Sequence, residues 1–117
     1  MIWSTFELYC MIYLVLDAEW DDTKDECLGQ FLSEASPFTF ADNGSADPAV
    51  YTDFKRQITE PITLENSFVL AKRYIDSLRD TTILEAFSWI DESEWRECVS
   101  EYLAKEHKGG EARTISS

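Results

Sequence analysis

The sequence predicts an all-α fold, a single compact bundle of five or six helices with one long aromatic-rich loop. Helix-start signatures recur along the chain, at Ser4, Thr23, Asp47, Thr63, Thr82 and Asp91. Between them apolar residues return at the three- and four-residue spacing of one helical face. The length, 117 residues, is that of one domain, the commonest size being about 100–150 residues. With 44% hydrophobic and 14% aromatic residues, the chain can bury a sizeable core, which disordered segments cannot.

The first helix is expected over about Thr5 to Ala18. Ser4-Thr5-Phe6-Glu7 is a capping box, and Trp3 and Leu8 occupy the two positions of a hydrophobic staple. The run Leu8–Leu16 has no polar stripe, so this helix should be the central element, buried on most sides. The run is shorter than the ~20 residues that span a bilayer. No basic residue precedes Lys24, which argues against a secretory signal. A cytoplasmic protein is expected.

Thr23-Lys24-Asp25-Glu26 repeats the capping box and opens a second helix, with Cys27, Leu28, Phe31, Leu32 and Ala35 on one face. Gly29 inside it costs about 1 kcal/mol relative to Ala, which points to close packing against a neighbouring helix. Pro37 ends it. Residues 37–47 form the irregular segment, with Phe38 and Phe40 extended and a turn at Asp42-Asn43-Gly44-Ser45. Asp47-Pro48 starts a third helix, with Val50, Tyr51, Phe54 and Ile58 inward, until Pro61.

Thr63 caps a fourth helix through about Leu78, with Phe68, Ala71, Tyr74, Ile75 and Leu78 inward. A short fifth opens at Thr82-Ile83-Leu84-Glu85 and carries Leu84, Phe87 and Ile90. Asp91-Glu92-Ser93-Glu94 opens a sixth, whose Trp95, Cys98, Val99, Tyr102 and Leu103 give an amphipathic pattern. Lys105, His107 and Lys108 suit its C-terminus, and Gly109-Gly110 stops it. Residues 1–108 are read as one helical domain and residues 109–117 as a flexible tail.

Charge narrows the function classes. The chain carries 23 acidic against 10 basic residues, a net charge of −13. That disfavours nucleic acid, whose phosphates need clustered Lys and Arg, and an anionic membrane surface. The acidity is concentrated: residues 1–47 hold ten acids and one base, Lys24, whereas residues 48–80 are balanced. One cluster, Glu19, Asp21, Asp22, Asp25 and Glu26 with Trp20 among them, surrounds the expected start of the second helix. The helix dipole and capping account for two or three of the five, and the rest repel one another. A second cluster, Glu94, Glu97 and Glu101, reads as a solvated face of the sixth helix. Trp20, Tyr51 and Trp89 are either contact anchors or core, and core is the default for each.

Little catalytic chemistry is legible. His107 is the single histidine, so a His-dependent triad or a two-His metal site is not expected. Phosphate-cradling glycine motifs are missing. Asp42–Asp53 has the length of a calcium loop but the wrong residues at its third, fifth and sixth positions. Cys10, Cys27 and Cys98 are far apart and odd in number, and are read as reduced small hydrophobes. No enzyme, no metal and no cofactor are expected.

With its acidic helices and the segment PFTFADNGSADPAVYTDF (Pro37–Phe54), the chain resembles small acidic all-helical bacterial immunity proteins, which bind and inhibit a cognate toxin. The resemblance implies a non-enzymatic inhibitor whose acidic surface occludes a basic, nuclease-type partner. The residues assigned to that surface are Glu19, Trp20, Asp21, Asp22, Asp25 and Glu26, with Asp42 and Asp47 from the loop. The alternative is a structural or regulatory module acting as a homodimer through exposed aromatics.

Overall fold

The computed structural model describes residues 2–38 and 44–105. Among these residues six helices follow one another: α1 (Thr5–Thr23), α2 (Glu26–Ala35), α3 (Pro48–Gln57), α4 (Leu64–Ser77), α5 (Thr81–Phe87) and α6 (Glu92–Ala104). The all-α class holds, and α1 is the hub, packing against α2, α3, α4 and α5. A two-residue antiparallel ladder, β1 (Ile2–Trp3) with β2 (Ile62–Thr63), ties the N-terminus to the start of α4. This ladder is too short to leave a periodic signal in the sequence.

Local capping explains most boundaries. Ser4 Oγ accepts the Glu7 N–H, and Glu7 Oε1 accepts the Ser4 N–H, at 3.1 and 2.9 Å. Reciprocal boxes also start α4 (Thr63 with Asn66) and α6 (Asp91 with Glu94). Asp47 caps α3 with Pro48 at the first helical position. The Trp3 side chain, and so the staple, lies outside the described residues, as do Phe40, Asp42, His107, Lys108 and the tail from 109 onward.

Three expectations are corrected. First, α1 does not stop at Ala18 but runs to Thr23, because nothing in Asp17–Thr23 breaks a helix. The stop is Lys24 in the left-handed conformation (φ 54°), and Asp25, not Thr23, caps α2 by accepting the Leu28 N–H at 3.1 Å. Second, α5 starts two residues earlier than expected, its cap being Asp80 rather than Thr82, because Asp80 accepts both the Thr82 and Ile83 N–H groups. Third, of the three cysteines only Cys10 is buried. The buried stripe of α2 is Leu28, Leu32 and Ala35, which turns Cys27 outward, and α6 buries Trp95 and Val99, which leaves Cys98 at the edge.

Two aromatic groups fill the core. Tyr9, Tyr51, Phe54 and Tyr74 join α1, α3 and α4, with Phe54 and Tyr74 edge-to-face at 4.7 Å. Tyr51 is thus core rather than a surface anchor. Burial pushes the Tyr51 and Tyr74 hydroxyls up to about 12. Phe68, Phe87 and Trp95 join α4, α5 and α6. Phe6 to Ile12 and Leu16 are buried, as expected of a helix enclosed on most sides, but helix α6 packs on α4, so one flank of α1 is less covered: Leu14 and Val15 are half-buried. No described helix is long and apolar enough to cross a membrane.

Candidate functional site

Successive residues of a helix turn by about 100°, so the acidic end of α1 is split between two directions. Tyr13, Asp17 and Trp20 form one stripe, which faces α2. Met11, Val15, Ala18 and Asp22 form another, which faces the α5–α6 corner together with Leu14 and Glu19. Opposite them stand Ala86 from α5, Trp89 and Ile90 from the turn, and Glu94 and Cys98 from α6. The result is a groove of about 400 Å³ with a buried floor at Met11 and Ala86. Leu14, Val15, Ala18 and Ile90 make it apolar. Glu19, Asp22 and Glu94 make its rim acidic.

A smaller groove of about 130 Å³ adjoins it, between the α1–α2 corner and α5. Asp25 and Glu85 bring two more carboxylates to its edge, and Glu19, Ala86 and Trp89 line both grooves. The Trp89 ring therefore stands between the two. It is 70% exposed, because Phe87 and Ile90 on either side already turn toward the core.

Charge in this region is one-signed. Among the described residues, no Lys or Arg lines either groove. Among the described residues, ion pairs engage Asp21, Asp53, Glu60 and Glu92, none of which lines a groove. Glu19 and Asp22 also lie in the last turns of α1, the negative end of its dipole, where an anion is disfavoured. The extended α1 thus removes the structural reason for these two acids. Asp25 and Glu94 keep one, as capping groups of α2 and α6. Burial first, then the Glu101, Glu97 and Glu94 carboxylates, push the Cys98 thiol up and hold it protonated.

Of the residues singled out in the sequence, Glu19, Asp22 and Asp25 come together here, joined by Glu94 from the second acidic cluster. Trp20 does not. Its indole covers Gly29, where an added Cβ would meet Nε1 at 2.7 Å, and Lys24 Nζ stands 4.2 Å from its ring centroid. Gly29 thus serves close packing between helices. Asp21 pairs with Lys24 at 3.0 Å, Glu26 is exposed on α2, and Asp47 caps α3. Trp89, for which core was the default, is instead exposed, and Glu85 and the Leu14–Ala18 flank went unassigned in the sequence. The available signal was a Trp placed between two inward-facing apolar residues, at a turn too short to bury all three.

Among the described residues no group of three or more His, Cys, Asp or Glu side chains is arranged to hold a metal ion. No family model, curated protein or solved structure matches the chain.

Proposed function

We propose that the chain is a non-enzymatic binding protein of the immunity or inhibitor type, which neutralises a basic, nuclease-type toxin through the acidic surface around Trp89. The observation that supports this reading is the convergence of Glu19, Asp22, Asp25, Glu85 and Glu94, from four separate elements, on the two grooves beside an exposed indole, with no Lys or Arg lining either groove among the described residues. Like charges that converge without neutralisation oppose folding, and a cationic partner converts that cost into binding energy and faster encounter. The carboxylates then take the place of nucleic-acid phosphates on the partner. Pairing of this surface with a second copy of itself brings carboxylates face to face, which disfavours the homodimer.

Coexpression with the product of the adjacent open reading frame tests the reading. Relief of that product's toxicity, with a basic protein co-purifying in a complex that weakens as salt is raised, is the expected result. Undiminished toxicity and no retained basic protein dispose of it.

A further inference from the structure

We infer that the larger groove takes an arginine-bearing amphipathic helix of that partner, its apolar side on Leu14, Val15 and Ala18 and a guanidinium laid on the Trp89 indole beside Glu19. The inference rests on the inhibitor reading and adds to it the part of the partner that is recognised. The α1 flank from Met11 to Asp22 is about 16 Å long at 1.5 Å per residue, room for three turns of a helix lying alongside. Its middle is apolar and half-buried, its C-terminal end carries Glu19 and Asp22, and Glu94 faces it from α6. An occupant complementary to it is apolar along one stripe and cationic at the borders.

The choice of arginine follows from Trp89. An indole that is 70% exposed and lines two grooves with acidic edges offers a cation both a quadrupole to stack on and an anion to pair with. A guanidinium meets the two at once, being planar, weakly hydrated and able to bond a carboxylate through two parallel N–H groups, whereas an ammonium is a strongly hydrated point charge. Trp20 makes the contrast within the same molecule. Its ring already holds Lys24, which is itself paired with Asp21, whereas among the described residues no cation lies over Trp89.

The probe is a synthetic helical peptide with leucines along one side and arginines at the borders, with copies carrying lysine or glutamate instead. Added to the full chain, the arginine peptide should shift the Trp89 indole signal in NMR and slow alkylation of Cys98, which lines the groove, while Cys27 on α2 reacts as before. The lysine copy should bind more weakly and the glutamate copy not at all. Trp89→Ala should weaken the arginine peptide by about tenfold, the scale of a partly desolvated cation–π contact. Ala18→Arg, which sets a cation in the groove, should do at least as much. Both positions are exposed, and an unchanged circular dichroism spectrum shows that the fold is intact. Equal binding of lysine and arginine peptides, shifts centred away from Trp89, or a constitutive dimer that buries Trp89 each overturn the inference. A toxin retained at full affinity by both variants overturns the groove but leaves the inhibitor reading standing. Peptide binding in the groove with no toxin retained in coexpression supports the groove and removes the inhibitor reading.

Discussion

The indole of Trp95 is fully buried, so its N–H must find an acceptor where water does not reach. Ser67 on α4 provides it at 2.9 Å, and the Ser67 hydroxyl in turn donates to the Leu64 carbonyl at 3.1 Å. One hydroxyl therefore accepts from α6 and donates within α4, and the bond to the indole is made out of solvent. Ser67→Ala keeps the backbone bonds of α4 and orphans the indole N–H. It should cost about 1–3 kcal/mol in urea unfolding, the penalty for an unsatisfied buried donor. In the Ser67→Ala background, Trp95→Phe should cost less than it does in the native chain, because the group left unpaired has then been removed. Additive losses would show that the bond adds nothing beyond packing.

At the scale of the helix pair, α1 and α2 approach through Trp20 and Gly29. Gly29→Ala gains about 1 kcal/mol of helix propensity but drives a Cβ to 2.7 Å from Trp20 Nε1. In the Trp20→Ala background the clash is gone and the propensity gain should appear in full; in the native chain it should be reduced or reversed. Equal gains in both backgrounds would mean that the indole does not need the space. Caps were the most legible feature of the chain, because each is a contact among residues two or three apart: Ser4, Asp47, Thr63 and Asp91 all start helices where the sequence places them. The failure at Thr23 has the same local origin. Thr23 and Asp25 both satisfy a cap pattern, and the choice between them depends on where the chain reverses at Lys24. The exposure of Leu14 and Val15 was not legible, since it depends on α6 docking on α4 rather than on α1. The acidic residues of the groove were visible one by one. Their meeting with Glu85 and Glu94 was not, because residues some sixty to seventy-five positions apart meet only through the tertiary fold.

For the molecule as a whole, a net charge of −13 means that every carboxylate without a structural task works against compactness. Glu19 and Asp22 have the least structural justification, being at the negative end of α1 and in no ion pair among the described residues. Asp25 is a neighbour of the same sign with the opposite role, since its carboxylate caps α2. The three acids should therefore separate in a stability measurement. Glu19→Gln with Asp22→Asn should raise the melting temperature by about 2–8 °C at low salt, the scale of two surface dipole terms in a domain of this size. Asp25→Ala should lower stability by about 1 kcal/mol. Salt should raise the native chain toward the double variant, because screening removes what the substitutions remove, and should leave the Asp25→Ala loss largely in place. With the arginine peptide bound the order should invert, the native chain melting above the double variant, since ligand that binds only the folded state adds stability in proportion to its affinity. A double variant less stable than the native chain at low salt would make Glu19 and Asp22 supports of the fold. The acidity of the groove would then need no partner to account for it.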